Sequence, residues 1–150
     1  METKEATIDI LNDLVHINND RIAGYERAMK EAGEENADLK EVFSRFIADS
    51  HQCKMELGTE IQALGEDMDT DSTTSGKIYR AWMDVKAVFS GHSRKAILEN
   101  CEFGEDAAQK AYREALDDEE LPAFLRETIT RQKMRLRAAH DEIKAMRDVA

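Results

Sequence analysis

Between Ser93 and Asp117 a helix-forming stretch carries the acidic run Glu99, Glu102, Glu105 and Asp106, the first three at i, i+3 and i+6. A ladder with that spacing turns slowly around a helix and can aim two carboxylates at one point, which is what a hard or borderline cation needs. The histidines are His16, His51, His92 and His140. Only His140 stands beside the apolar stripe of the last helical segment, about one or two turns from the middle. Glu102, Glu105 and His140 are therefore the metal candidates. No cofactor is demanded by the sequence, and iron or manganese is the cation such ligands would suit.

A di-iron carboxylate centre in a helical bundle takes a glutamate from each of two helices and a Glu-x-x-His from each of the other two. No Glu-x-x-His occurs in the chain. The second helical segment offers Asp49-Ser50-His51-Gln52 and the last offers Arg137-Ala138-Ala139-His140, while the nearest approximation, Asp13-Leu14-Val15-His16, lies on the first. Catalytic residues are accordingly assigned to none of these positions. His16, His51 and His92 are read as solvated and His140 as a hydrogen-bonded histidine of the core edge.

The carboxylate ladder also has a purely structural reading. Glu105 falls between Cys101 and Ala108 in an inward series, and Asn18, Ser50 and Gln132 take inward positions at matching levels of the other three segments. Buried polar groups must be satisfied, so Asn18, Ser50, Glu105 and Gln132 are expected to form a mid-core polar network. In this reading Glu105 bonds to Asn18 and Gln132, and Arg135 or Arg137 pairs with Glu102. Glu105→Gln would then cost little and Glu105→Ala about 1 to 3 kcal/mol. Tyr25 and Tyr112 bury their rings and send hydroxyls to polar neighbours.

Four long helices position these residues. The first runs from about Thr3 to Gly33 with Ile8, Leu11, Val15, Asn18, Ile22, Tyr25 and Met29 inward. The second follows the short turn EENA, capped by Asn36 or Asp38, with Leu39, Phe43, Phe46, Ser50, Cys53, Leu57 and Ile61 as its seam. Ser93 caps the third, whose inward series is Ile97 or Leu98, Cys101, Glu105, Ala108, Tyr112 and Ala115. Pro122 opens the fourth, which carries Leu125, Ile129, Gln132, Leu136, Ala139, Ile143 and Met146. Short turns make helices one and two, and helices three and four, antiparallel hairpins.

Between the hairpins, EDMDTDSTTSG reads as a loop and Ile78, Trp82, Val85 and Phe89 as one face of a short helix. That face covers the bundle or forms an interface with another chain, since both remove apolar area from water. An all-α, ferritin-like four-helix bundle with one long crossover holding a short extra helix is the predicted fold, as one domain over residues 1–150. In this topology Cys53 and Cys101 stand roughly 10 Å apart along parallel helices, beyond disulfide reach.

Composition limits the remaining classes. One proline and seven glycines in 150 residues leave little room for hairpin turns. The formal charge of -11 opposes electrostatic binding to nucleic acid or an anionic membrane. Lys133, Arg135 and Arg137 fan around the last helix instead of forming a basic stripe. The amino terminus lacks signal-peptide architecture, and a cytoplasmic setting with reduced thiols is expected. The partner expected is a second copy of the chain, in a homodimer.

Leu11-Asn12-Asp13-Leu14, Asn18-Asn19-Asp20-Arg21 and Gly24-Tyr25, followed by Trp82 to Lys86 and Glu102 to Tyr112, resemble a bacterial family of ferritin-like bundles, domain of unknown function 2383. The resemblance covers nearly the whole chain. It implies the fold and a bacterial setting, with stress physiology as the expected context, and it transfers no active site. Positions matching the family's pattern are Asn18, Asn19, Asp20, Tyr25, Trp82, Glu102, Gly104, Glu105 and Tyr112. The leading expectation is a noncatalytic protein that acts through its surface or its assembly. The alternatives are an iron or manganese oxidoreductase with a nonstandard carboxylate set and a homo-oligomeric interaction module.

Overall fold

The computed structural model describes residues 2–68 and 93–150. Among these are four long helices: α1 over Glu2–Ala32, α2 over Ala37–Ala63, α3 over Arg94–Asp117 and α4 over Ala123–Asp148. The turn between α1 and α2 is a single 3-10 turn, Glu34–Asn36. Gly33 enters it at φ 62° and Gly65 leaves α2 at φ 91°, left-handed conformations that a side chain would strain. Ser93 caps α3 by accepting a 3.1 Å hydrogen bond from the Ala96 amide, while Pro122 stands one residue before α4.

Cross-helix contacts fix the directions. Arg45 of α2 reaches Glu142 and the Cys53 carbonyl receives Gln132, so α2 and α4 are antiparallel. On the α1 and α3 pair, Arg21 meets Glu105 and Asn18 meets Tyr112, again antiparallel. Arg94 at the start of α3 binds Asp38 at the start of α2, which makes those two parallel. Parallel α2 and α3 place the long connection between them, the ferritin-like pattern, and not an up-down-up-down bundle. Residues 69–92 of that connection, on which the expected Ile78, Trp82, Val85 and Phe89 face, the expected short helix and His92 fall, lie outside the described residues.

Two apolar clusters fill the bundle. Leu11, Leu14, Leu57, Ile61, Leu125, Ile129 and Leu136 pack with Tyr112 toward one end. Tyr25, Leu39, Phe43, Phe46, Ile97, Leu98 and Ile143 pack toward the other. The named inward positions of α2, α3 and α4 are buried, apart from Met146, which is half-buried.

Helix α1 departs from the one-sided pattern predicted for it. Every residue from Ile10 to Asn18 is buried, Asn12, Asp13 and His16 among them. A run of that length exceeds two turns, so all directions around the helix are covered. His16, expected to be solvated, is only 1% exposed. A polar residue off the apolar stripe reads as water-facing, but Ile10, Leu14 and Ile17, at i, i+4 and i+7, form a second apolar series that the one-sided reading passes over.

Candidate functional site

The four inward polar residues are all buried: Asn18 and Ser50 at 0% exposure, Glu105 and Gln132 at 1%. They divide between two hydrogen-bonded sets, where a single layer is the sequence expectation. The boundary is set by a residue that the inward series passes over, Arg21.

Arg21 is one turn after Asn18 and one before Tyr25 on α1, and its side chain is 4% exposed. Its Nε donates to both Glu105 oxygens at 3.0 and 3.1 Å, and Nη2 donates to Oε2 at 2.7 Å. The Tyr25 hydroxyl donates to the same Oε2. On the α2 side Arg21 Nη1 donates to the Phe46 carbonyl at 2.9 Å and to Ser50 Oγ at 2.7 Å. The guanidinium carbon also lies 5.1 Å from the Tyr25 ring centroid and 5.7 Å from that of Phe46.

The electrostatics follow from that packing. Burial, the largest single influence, would lower the Arg21 pKa, but the charge and hydrogen bonds of Glu105, together with Tyr25 and Cys53, outweigh it and hold the guanidinium above its ordinary value. Burial first, and then the Glu105 charge, push the Tyr25 hydroxyl well above the usual tyrosine range. Cys101 is raised by the same two causes, and burial pushes Cys53 up to about 11. Both cysteines are free thiols inside the bundle.

The second set runs through all four helices. Asn18 Nδ2 donates to the Leu14 carbonyl and to the Tyr112 hydroxyl, both at 2.9 Å. Tyr112 donates onward to Gln132 Oε1 at 2.8 Å, and Gln132 Nε2 donates to the Cys53 carbonyl at 3.1 Å and to Glu56 Oε1 at 2.9 Å. Burial pushes the Tyr112 hydroxyl far above its ordinary value, so it stays a donor. Neither Asn18 nor Gln132 bonds to Glu105, contrary to the uncharged pairing expected. The physical reason is charge: a buried carboxylate beside a buried guanidinium takes the ion pair.

A di-iron centre does not fit this layer. Glu105 is the carboxylate that the named mid-core positions supply, and both its oxygens already face the fixed positive charge of Arg21. A cation placed there would meet like charge at contact distance.

The remaining metal candidates lie off the axis, on the seam between α3 and α4. Glu102, Asp106 and His140 each present a ligand atom, all within 4.8 Å of one another. Glu105 is not among them: on the helix it points inward, and Asp106, one residue on, takes the place expected for it. His140, 8% exposed, sets Nε2 2.6 Å from Asp106 Oδ1 and Nδ1 3.0 Å from Asp141 Oδ1. The contact with His140 draws the Asp141 carboxyl below its ordinary range. Glu102 pairs with Arg147, not with Arg135 or Arg137, and Arg147 Nη2 also binds Asp148 at 2.7 Å. Arg137 pairs with Asp141 at 3.1 Å.

Residues 6–119 match the domain of unknown function DUF2383, a span that takes in α2, α3 and almost all of α1 and stops before α4. No curated protein matches the chain. Among solved structures, a point mutant of Mycobacterium smegmatis Dps1 is similar with a TM-score of 0.81 and 12% identity, over 96% of each chain. At that identity the likeness is one of fold, a ferritin-like four-helix bundle. No helix among the described residues is long and apolar enough to cross a membrane.

Proposed function

This chain belongs to the DUF2383 family, and from its geometry we propose a noncatalytic ferritin-like protein, a single bundle domain whose centre is closed by its own cation. The biological work then falls to the outer surface and to contacts with a second copy of the chain, in the cytoplasm. The observation that carries this reading is the bidentate Arg21 to Glu105 pair, which puts a guanidinium where the centre would need a metal. Exposed Met55 on α2 and Met134 on α4, 68% and 67% accessible on adjacent helices, supply apolar area for the homodimer contact.

Iron chemistry tests the first half. Untagged protein mixed aerobically with ferrous iron should oxidise it no faster than buffer does, and Glu105→Gln should leave that rate unchanged. Oxidation well above the buffer rate that disappears in Glu105→Gln would instead establish the nonstandard oxidoreductase. Light scattering tests the second half: a dimer that Met134→Glu converts to monomer is expected, and a monomer at every concentration would refute the assembly role.

A further inference from the structure

Two carboxylates and an imidazole on neighbouring helices form a donor set of mixed character. Oxygen and nitrogen ligands together suit a borderline divalent ion such as manganese, ferrous iron, cobalt or zinc. We propose that Glu102, Asp106 and His140 form a mononuclear divalent-cation site on the α3/α4 seam, gated by Arg147.

The geometry prepares three features of such a site. First, His140 is orientated from behind: Nδ1 lies 3.0 Å from Asp141 Oδ1, and in the tautomer with its proton on Nδ1 the Nε2 lone pair is the ligand atom facing Asp106 and Glu102. A carboxylate fixing the far nitrogen is the arrangement that sets tautomer and ring direction in histidine metal sites. Second, the ring is held rigidly, since the His140 side chain is 10% exposed. Two ligand atoms on one ion at about 2.1 Å stand at most about 4.2 Å apart, and Asp106, 64% exposed, is free to make the adjustment that gathers atoms now within 4.8 Å of one another. That same exposure leaves the outer coordination positions to water.

Third, the site already holds a positive group. Arg147 Nη1 donates to Glu102, whose side chain is 14% exposed, while Nη2 stays on Asp148. A divalent ion competes with that guanidinium for Glu102, and Arg147 retains Asp148 when displaced. Cation entry is thereby coupled to release of an arginine near the carboxyl end of α4. The site is separate from the mid-core ion pair: Glu105, 1% exposed, is bound to Arg21 of α1 within the bundle, whereas Glu102, one turn earlier, reaches Arg147 of α4.

Calorimetric titration of untagged, chelator-treated protein with manganese, and visible spectroscopy with cobalt, test the assignment. Wild type should bind about one cobalt per chain with a spectrum that reports a nitrogen ligand. His140→Ala and Asp106→Asn should each weaken binding more than about tenfold, and Asp141→Asn by about tenfold, the range seen when a supporting carboxylate is removed. Arg147→Gln should tighten binding severalfold, a result that loss of structure would not give. Glu105→Gln serves as the control for the proposal of a closed centre and should leave the affinity unchanged in any fold-competent preparation. Binding only at millimolar cobalt, or binding that His140→Ala and Arg147→Gln leave alone, would overturn the site. Binding lost in Glu105→Gln but kept in His140→Ala would move the metal to the core and refute both readings.

Discussion

Arg21 Nη1 donates to Ser50 Oγ at 2.7 Å, so the guanidinium is clasped from α2 as tightly as it is from α3. Ser50 accepts from Arg21 without adding charge, and among the described residues the counter-ion that Arg21 meets is the Glu105 carboxylate. Three helices thus meet on one side chain, and the energetics of the centre reduce to whether that charge keeps its partner.

Glu105→Gln should therefore be severe. Removing one member of a buried ion pair leaves the other uncompensated, at a cost of about 3 to 5 kcal/mol. This reverses the mild effect that an uncharged network predicts for the same substitution. Arg21→Met combined with Glu105→Leu should recover most of the loss, because neither charge then remains. Urea denaturation of the two single variants and the double variant measures the coupling. Near wild-type stability for Glu105→Gln would place the carboxylate outside the core.

Tyr112→Phe removes the hydroxyl that accepts from Asn18 and donates to Gln132. Two buried amides lose a partner at once, and a loss of about 1 to 3 kcal/mol is expected. The same denaturation measurement checks it, and a midpoint unchanged by the substitution would mean that water already serves these amides.

Stability should fall on the alkaline side. Burial raises the Tyr25 and Tyr112 hydroxyls well above the ordinary value and Cys53 to about 11. In the unfolded chain such groups titrate near about 8.5 for cysteine and 10 for tyrosine. Above those values the unfolded state binds fewer protons than the native state, so stability declines with rising pH. The contribution is complete below about pH 8.5, and the Cys53 part is lost as pH climbs from there through about 11. Urea midpoints should hold from neutrality to about pH 8.5 and drop steadily above it; a flat profile through that range would contradict the burial of these groups.

The thiols should be quiet in the native protein. With Cys53 and Cys101 buried and their thiolates disfavoured, a disulfide reagent at mildly alkaline pH should react on the order of a hundredfold more slowly than after denaturant is added. Reaction at the rate of a free cysteine would show that the bundle opens around α2 or α3 without unfolding.

The helices were legible because apolar residues at three- and four-residue spacing report directly on the face that must leave water. Connection lengths added the chain direction, since a short turn forces an antiparallel neighbour. Asn18, Ser50, Glu105 and Gln132 could be placed inward for the same reason. Their pairing could not, because it depends on which side chain reaches across, and Arg21 is long enough to cross from α1 to both α2 and α3. A signal was present: Arg21 sits one turn from both Asn18 and Tyr25, inside the run Asn18 to Arg21 that carries the family resemblance. Asp106 in place of Glu105 on the seam is a matter of one residue, about 100° of helix rotation, which an inward or outward assignment alone resolves. The covering of the second face of α1 was signalled by Ile10, Leu14 and Ile17, whose own four- and three-residue steps run beside the inward series.

The unbroken burial of Ile10 to Asn18 bears on how the molecule breathes. A helix with one wet face can fray or lift away while its neighbours stay packed, and its amides then exchange with solvent through small openings. With no wet face over more than two turns, this part of α1 has no such partial opening available to it. Its amide hydrogens should exchange only when the whole bundle unfolds, with protection equal to the global stability, and the middle of α1 should be the slowest-exchanging stretch of the chain.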